Sequence, residues 1–376
     1  MTVGREGQTS ARRIALIDLG RATASGARRR LSSMVDVIEA LGDDPVVISI
    51  FPNHALRRRH TWRLLPSVLR GSAVPESLAW SPRSVRRELD RAAPDIAIAI
   101  TARAYHPALL GPWRFYIDFV DRMSVNYRAR SRLTSRTHEQ AFYRALADRH
   151  RRFEGGSRSL VDGAFAAGRA DAAALDAAWW PITLDPHLSP PARRTVDGST
   201  DTDLVFVGTL DYLPNVAAVR ELDRLWPALH RRVPGVRVTV AGARPTPEVT
   251  SIAQANGWRL VANFTQLSDV LTQARLSVSP LTEATGIQIK ALDAAAFGVP
   301  QLVSPAVASG LDPDFPLVSC RTDSEWVQQI ARYLEHPESA RALGQQSMQH
   351  VLRHYSPRAV ADLIRPVLSP DETAGR

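Results

Sequence analysis

The chain has 376 residues, of which 44% are hydrophobic and 23% are charged, a composition typical of folded globular proteins and not of disordered ones. A single hydrophobic core seldom serves more than roughly 250 residues, so the length predicts two domains. The one cysteine, Cys320, excludes a disulfide framework and any zinc or iron–sulfur site built from several cysteines. The ten histidines show no tight cluster, and we therefore predict no metal site.

Positive charge is concentrated in the first half of the chain. The formal net charge is +9, but residues 1–200 carry 31 basic and 20 acidic side chains, whereas residues 201–376 carry 16 and 18. A basic half can steer anions, such as nucleic acid, lipid head groups or a phosphorylated substrate. Residues 56–71 and 128–152 are especially rich in arginine, and each is compatible with an anionic membrane or acceptor or with simple solvation.

The N-terminus is polar and no long apolar segment occurs anywhere in the sequence. Residues 1–12 lack the apolar core of a signal peptide, and we expect a disordered tail there. No stretch approaches the roughly 20 apolar residues that a membrane-spanning helix needs. The sequence therefore predicts a cytoplasmic protein, with peripheral contact at the inner membrane face as an option for its basic half.

The first half alternates strand and helix patterns. Four short apolar runs predict strands: Arg13–Asp18, Pro45–Phe51, Pro94–Thr101 and Arg114–Val120. Apolar residues at helical spacing between Leu31 and Leu41 predict a helix after the first strand, and Arg130–Arg152 predicts one long basic helix. Such alternation is typical of parallel sheets built from βαβ units.

A segment rich in proline, serine, aspartate and glycine separates the two halves. We place an interdomain linker there, at residues 186–202, after a first Rossmann-like domain at residues 13–185. A second Rossmann-like domain is predicted at residues 203–354. The last segment, residues 355–376, is predicted to be a helix that packs back on the first domain.

The second half repeats the alternation. Strands are predicted at Leu204–Val207, Val236–Ala241, Arg259–Val261, Leu276–Val278 and Gln301–Val303. Helices are predicted at Asn215–Val233, Leu267–Ala274, Gln288–Phe297, Ser324–Leu334 and Pro337–His354. We therefore expect an α/β protein with two Rossmann-like domains that face each other across a cleft. In open α/β sheets, ligands bind beyond the carboxyl ends of the strands.

One segment of the second half combines the features of an anion site. Gly286 opens a helix that carries Lys290 in its first turn and Asp293 about one turn later. Free amides and the positive dipole end at a helix start attract phosphate. Lys290 is the single lysine among 47 basic residues, which suggests a position where a compact ammonium is needed. A carboxylate one turn from a phosphate site suits a ribose, and the pattern therefore predicts a nucleoside-diphosphate site.

This segment resembles the donor-binding region of retaining GT-B glycosyltransferases of family 4, most of all their exopolysaccharide-type subgroup. The matching positions are Gly286, Ile287, Gln288, Lys290, Leu292, Asp293, Ala294, Ala296, Gly298 and Pro300. Residues 206–215 and 241–247 are similar to two further segments of that subgroup. In the first half the likeness is thinner, and it rests on Asp118, Asp121 and Ser124 and on Gly26 with Arg30.

The resemblance implies retaining, metal-independent transfer of a sugar from a nucleoside-diphosphate sugar to an acceptor hydroxyl. The nucleotide sugar is a co-substrate, and no other cofactor is implied. The acceptor is compatible with an anionic or lipid-linked molecule, and no specific nucleic acid is expected. The implied diphosphate-binding residues are Gly26, Arg30, Gly208, Thr209, Arg244, Gly286, Ile287, Gln288 and Lys290. Asp293, Glu283 and Thr285 are the implied ribose and sugar residues.

Three residues of the first half are candidate catalytic residues. Asp118 and Asp121 follow an apolar strand, where a carboxylate could orient an acceptor; each could instead cap a helix or pair with an arginine. His106 follows another strand and could approach the transferred sugar, or it could be a loop histidine before Pro107.

The chain departs from the family pattern at the acidic positions. Many relatives carry two glutamates separated by seven residues, whereas Thr285 and Asp293 stand there in this chain, with Glu283 nearby. Three alternatives therefore stay open: a catalytically weak or inactive GT-B paralogue acting as a partner subunit, a GT-B nucleotide-sugar epimerase, and a nucleic-acid binder.

Overall fold

The computed structural model describes residues 11–20, 25–51, 66–188 and 202–369. The predicted tail at residues 1–12 and the predicted linker at residues 186–202 lie mostly outside these ranges. So does most of the arginine-rich stretch at residues 56–71.

The first sheet has six strands. They are β1 (Arg13–Leu19), β2 (Asp44–Ile50), β3 (Ile96–Ile100), β4 (Arg114–Asp118), β5 (Gly163–Ala166) and β6 (Ala178–Trp179). Their order is β2-β1-β3-β4-β5-β6, and the ladders from β2 through β5 are parallel. All five residues of β3 are buried, as expected for a central strand covered on both faces.

Five helices whose full extent lies in the described residues occur in this half of the chain. They are α1 (Ser25–Leu41), α2 (Pro82–Ala92), α3 (Met123–Leu133), α4 (Thr137–Gly156) and α5 (Arg169–Leu175). The prediction of one long helix over Arg130–Arg152 was wrong, because the chain is extended at Thr134. The Thr134 hydroxyl donates to Glu139 at 2.6 Å, and the Thr134 carbonyl accepts from Gln140 at 2.9 Å. These bonds start a new helix.

The second sheet also has six strands. They are β7 (Thr202–Val207), β8 (Val238–Gly242), β9 (Arg259–Ala262), β10 (Ala274–Ser279), β11 (Gln301–Val303) and β12 (Val318–Ser319). Their order is β12-β11-β10-β7-β8-β9, with parallel pairing throughout. Thr202, which we assigned to the linker, is the first residue of β7.

The remaining helices surround this second sheet or follow it. They are α6 (Leu213–Arg232), α7 (Pro247–Ala255), α8 (Ser268–Leu271), α9 (Ile289–Ala296), α10 (Pro305–Ala308), α11 (Asp323–Glu335), α12 (Pro337–His354) and α13 (Pro357–Leu368). The helix predicted over Leu267–Ala274 is a single turn, because Ala274 already pairs with Thr202 in the sheet.

Contacts divide the chain into two compact units. The first extends to Val120 and also takes in Arg152–Phe165 and the chain from Ala361 onward. The second contains Asp121–Arg151 and Ala166–Val360. Within the first unit, the Leu368 carbonyl at the end of α13 accepts from Arg12 at 2.7 Å and from Arg114 at 2.6 Å. The boundaries that we drew from the sequence stay a prediction.

In the parts of the chain that the structure describes, no helix combines the length and the apolar character needed to cross a membrane.

Candidate active site

Lys290 lies at the start of α9 in a recess crowded by protein atoms. Its ammonium donates to the Asn215 side-chain oxygen at 2.8 Å and lies 4.6 Å from the ring centre of Phe206. Part of the side chain still reaches solvent, yet the crowding removes enough water to lower the pKa of Lys290 to about 7. The cation thus has a neutral amide for a partner, and an anion placed here would stabilise its charged form.

Two glycines bring Asn215 to this position. A Cβ atom at Gly242 would lie 1.6 Å from the Gly208 carbonyl oxygen, and one at Gly208 would lie 2.7 Å from the Asn215 amide nitrogen. The ends of β7 and β8 can therefore approach this closely only because glycine, which has no side chain, stands at both positions. Asn215 itself, in the first turn of α6, donates to the Thr209 carbonyl at 2.9 Å. The loop after β7 thus holds the amide that faces Lys290.

The turn before α9 is packed tightly around Gly286. Its φ of +64° is one that favours glycine, and Cβ atoms at Gly168 and Gly310 would lie 2.6 Å and 2.3 Å from its carbonyl oxygen. The Gly286 amide donates to the Asp171 carboxylate at 2.6 Å. Burial raises the pKa of Asp171, although hydrogen bonds donated by the backbone amides of Gly286 and Arg122 lower it in part. We predicted that this amide binds phosphate; a phosphate could reach it only by replacing Asp171.

The predicted residues next to Gly286 differ in their surroundings: Ile287 lies in the core, whereas Gln288 and Asp293 lie at the start of α9 and within it. The Ile287 side chain packs in an apolar cluster with Leu292, Leu311 and Tyr355, so only its backbone could serve a ligand. Gln288 precedes α9, and its amide donates to the Thr285 carbonyl at 3.1 Å. Asp293 follows Lys290 by about one turn of α9 and is partly buried.

Two charged residues of the predicted site are held in ion pairs. Arg244 pairs with Asp211 at 2.6 Å, and both side chains are exposed. Glu283 pairs with Arg132 of α3. A ligand phosphate would have to compete with Asp211 for the Arg244 guanidinium.

Arg30 and Asp118 form an ion pair with each other. The two side chains are fully buried, and the guanidinium donates to both carboxylate oxygens at 2.8 Å. This is the arginine pairing that we set beside the catalytic interpretation of Asp118. Because neither group faces solvent, the geometry removes Asp118 from the catalytic candidates and Arg30 from the diphosphate ligands. Gly26 lies within α1 and not in the loop before it, and residues 21–24 of that loop lie outside the described residues.

His106 is buried and caps a short turn. Its Nδ1 accepts from the Ala108 amide at 3.1 Å, and burial lowers its pKa to about 4. Its Nε2 is buried and has no hydrogen-bond partner among the described residues. The side chain is therefore neutral near pH 7, in keeping with the loop interpretation that we kept for it.

Asp121 and Thr285 meet in a polar cluster with Asn126 and Tyr212. The Thr285 hydroxyl donates to Asp121 at 3.1 Å, and the Asn126 amide nitrogen lies 3.3 Å from Asp121, 3.1 Å from the Tyr212 hydroxyl and 3.5 Å from Thr285. The cluster thus brings a predicted catalytic residue to a predicted sugar residue.

Solved structures match the fold of the whole chain, and a family model matches part of its sequence. The chain is similar to sucrose-phosphate synthase (tll1590) from Thermosynechococcus elongatus, with 13% identity, coverage of 97% of this chain and 100% of the other, and a TM-score of 0.67. It is also similar to Anabaena Alr3699/HepE in complex with UDP and glucose, with 11% identity, coverage of 96% and 100%, and a TM-score of 0.62. A glycosyltransferase from Rickettsia africae ESF-5 matches at 8% identity, coverage of 96% and 99%, and a TM-score of 0.61.

The two parallel six-stranded sheets match the GT-B architecture of these structures, so the predicted fold class is confirmed. Residues 201–336 match the family described as glycosyl transferases group 1. The fold of the chain is GT-B, and residues 201–336 form a glycosyl transferase group 1 domain. No curated protein matches its sequence.

Four residues around the glycosyltransferase site were not among the predicted site residues. Tyr212 and Asn215 belong to the stretch that matched the family pattern, so that stretch was the signal that could have found them. Asn126 and Asp171 come from helices α3 and α5, and nothing in their local sequence marks them. In the described ranges, no three His, Cys, Asp or Glu side chains are grouped to hold a metal ion, and metal independence stays a prediction.

Proposed function

We propose that this glycosyltransferase moves a sugar from a nucleoside-diphosphate sugar to an acceptor hydroxyl, with retention at the anomeric carbon and without a metal ion. The observation that carries the proposal is Lys290, a desolvated ammonium in the first turn of α9, held by Asn215. Retention and membership of family 4 rest on the resemblance of residues 286–300. The complex of the Anabaena relative with UDP and glucose supports a nucleotide-sugar donor.

The difficult step in such a transfer is the departure of the diphosphate. The bond from the anomeric carbon to the diphosphate oxygen breaks with its electron pair, and the acceptor oxygen bonds to that carbon and loses its proton. A positive group that is already in place stabilises the developing charge most effectively. Lys290 supplies that charge, and the amides at the start of α9 add to it.

The residues that contribute to the proposed site are fewer than the sequence predicted. Lys290, Gln288, Thr209 and the backbone of Ile287 are proposed to bind the diphosphate, and Asp293 the ribose. Asp121 remains the carboxylate proposed to act next to the sugar, because it contacts Thr285.

The acceptor is proposed to be a hydroxyl of an anionic or lipid-linked molecule. Helix α4 exposes Phe142 at 60% and carries arginines such as Arg144 and Arg152 on its exposed surface. An apolar side chain among cations suits peripheral contact with an anionic membrane. A cytoplasmic location stays a prediction.

The donor site is tested with Lys290→Met, which keeps an unbranched chain over Phe206 and removes the charge. Thermal unfolding is measured with UDP, GDP, ADP and dTDP. A nucleotide at 100 times its Kd stabilises by about 2.7 kcal/mol, a shift of a few degrees. We expect one nucleotide to stabilise the wild type and Lys290→Met to bind it about tenfold to a hundredfold more weakly.

Arg341→Met is the matched control, since it removes an exposed positive charge from α12 of the same unit. It should bind the nucleotide as the wild type does. If no nucleotide stabilises the wild type, the donor site is wrong and a partner-subunit role becomes the better explanation. Retention is checked separately from the anomeric configuration of the product by nuclear magnetic resonance.

A further inference from the structure

Asp171, in the first turn of α5, is a buried carboxylate that joins three elements of the second unit. The residue is 8% exposed. Its Oδ2 atom accepts from the Gly286 amide at 2.6 Å and from the Arg122 amide at 3.4 Å. Gly286 lies in the turn before α9, and Arg122 directly precedes α3. One oxygen atom therefore ties the turn before α9 to the beginnings of α3 and α5.

The turn that Asp171 holds leads directly to Lys290. Gly286 stands shortly before Ile289, the first residue of α9, and Lys290 follows Ile289. A peptide group is planar, so a bond that fixes the Gly286 amide also fixes the plane of the Thr285–Gly286 peptide. The orientation of that plane sets the direction in which the chain enters α9. The position of the Lys290 ammonium therefore depends on the bond to Asp171.

The beginning of α5 packs against both polar groups of the Gly286 backbone. A Cβ atom at Gly168, which directly precedes α5, would lie 2.6 Å from the Gly286 carbonyl oxygen. The Arg169 amide donates to the Gly310 carbonyl at 3.1 Å, and this bond fixes α5 to the loop after α10. Asp171 thus reaches the Gly286 amide from a helix that is itself held in place.

The charge of Asp171 has the wrong sign for a phosphate ligand. A carboxylate beside the turn before α9 repels an anion that binds at the start of that helix. Burial also removes water from the charged carboxylate, which is unfavourable. A charged acceptor, however, makes a shorter and stronger hydrogen bond to an amide than a neutral acceptor does. The contribution of Asp171 therefore lies in the hydrogen bond that it accepts.

We propose that Asp171 is a positioning residue of the donor site, which holds the turn before α9 so that Lys290 is presented to the diphosphate. The inference rests on the proposed function, because it needs a nucleoside diphosphate at Lys290. It also gives α5 a part in nucleotide binding, although this helix carries none of the site residues predicted from the sequence.

The first test compares loss of the hydrogen bond with loss of the charge. Calorimetry measures the Kd of the nucleoside diphosphate that stabilises the wild type. Asp171→Ala removes the acceptor, whereas Asp171→Asn keeps an oxygen acceptor in a side chain of the same shape and removes the charge. We expect Asp171→Ala to weaken binding about fivefold to tenfold and Asp171→Asn to change it by less than about threefold.

Asp203→Ala is the matched control. Asp203 is a carboxylate of the same unit that is 6% exposed and accepts from the Arg237 amide at 2.9 Å. It lies near the amino end of β7, whereas the proposed site lies beyond the carboxyl end of that strand. Asp203→Ala also breaks ion pairs with two arginines, so it should lower the midpoint of thermal unfolding at least as much as Asp171→Ala. Its Kd for the nucleotide should equal that of the wild type.

A second test shows whether Asp171 acts through Lys290. In the Lys290→Met background the ammonium that Asp171 positions is absent, so Asp171→Ala should weaken binding there by less than about twofold. The effect of Asp171→Ala on the midpoint of thermal unfolding should be the same in both backgrounds. A merely structural role predicts equal losses of affinity in the two backgrounds.

Several results would overturn the positioning role while the donor site stands. Asp171→Ala would bind the nucleotide as the wild type does, or would lose as much affinity in the Lys290→Met background as alone. Equal losses in Asp171→Ala and Asp171→Asn would also overturn it, because the charge and not the bond would then matter.

Hydrogen exchange of the Gly286 amide decides the question if Asp171→Ala does not fold. We expect slow exchange in the wild type and in Asp171→Asn, and exchange as fast as that of an exposed amide in the wild type would contradict the bond. A wild type that binds no nucleoside diphosphate would instead refute the proposed function, and this inference would fall with it.

Discussion

Two cations in crowded surroundings, Arg30 and Lys290, have different partners. Arg30 has a bidentate carboxylate partner, Asp118, and both are fully buried, so the pair satisfies itself. Among the described residues, the ammonium of Lys290 contacts the neutral oxygen of Asn215 and the ring of Phe206. A buried cation without a counter-ion loses stability relative to a paired one. That deficit makes Lys290, and not Arg30, suited to an incoming diphosphate.

The lowered pKa of Lys290 predicts proton uptake when nucleotide binds. With a pKa of about 7, most of the free protein carries a neutral amine at pH 8.5, and a diphosphate would restore the ammonium. Affinity should therefore fall as pH rises above about 7. Calorimetry at pH 8.5 in two buffers of different ionisation enthalpy should show proton uptake by the wild type that Lys290→Met lacks.

The stability of the free protein should rise with pH, whereas its affinity for the nucleotide should fall. Between pH 7 and about 10.4, the unfolded chain binds a proton at Lys290 that the folded chain does not, so this residue's contribution to stability rises with pH in that window. In the two-buffer calorimetry, equal proton uptake by the wild type and Lys290→Met, or no proton uptake by either, would show that Lys290 is already charged in the free protein.

At the scale of elements, the site depends on strand ends that approach within contact of one another. The Gly208 amide donates to the Ala241 carbonyl at 3.0 Å, and Leu210 continues the contact to Ala243 at 2.8 Å. The loop after β7 therefore lies against the end of β8. Because Asn215 begins α6 directly after this loop, the packing of β7 and β8 sets the position of Lys290's partner.

Gly242→Ala should damage both the fold and the site. The new methyl group would lie 1.6 Å from the Gly208 oxygen, and the backbone there must move. We expect a loss of about 2 kcal/mol or more in chemical denaturation, together with weaker nucleotide binding. Gly155→Ala in α4 is the control; its Cβ meets nothing within 4 Å, and it should be neutral or stabilise by up to about 1 kcal/mol. Wild-type stability in Gly242→Ala would contradict the packing described here.

At the scale of the whole molecule, the first unit is assembled from distant parts of the chain. Arg12 and Arg114 both donate to the Leu368 carbonyl, which fixes the end of α13 to the beginning of the sequence. Ala361, Ile364 and Leu368 of α13 are buried. The part of this helix from Ala361 onward therefore contributes to the first unit's core.

Leu368→Ala should accordingly destabilise the protein although it lies near the end of the chain. A fully buried leucine costs about 2–5 kcal/mol when it is cut to alanine. Leu363→Ala on the same helix is the control, because Leu363 is 45% exposed and should change stability by less than about 0.5 kcal/mol. Thermal and denaturant unfolding of the two variants check this; equal stabilities would mean that α13 adds little to the core.

Local pattern determined much of the architecture. Short continuous apolar runs predicted β1, β2, β7 and β11 to within two residues, because a strand buried on both faces needs apolar side chains on both sides. The α6 stripe of Val219, Leu222, Leu225 and Leu229 is buried as its spacing predicted. The two-residue β6 and β12 were missed, since so short a strand is created by its neighbours and leaves no pattern of its own.

The sequence by itself marked Lys290, by its rarity and its place at a helix start, and it marked the GT-B fold. Only the tertiary structure decided what each charged group contacts. Asn215 lies 75 residues from Lys290, Asp118 lies 88 from Arg30, and Asp171 lies 115 from Gly286. Partners so far apart are joined by the way the elements pack, and packing depends on the shape of the whole chain. Arg30, which the local motif assigned to a phosphate, is therefore paired instead with the carboxylate of Asp118 from β4.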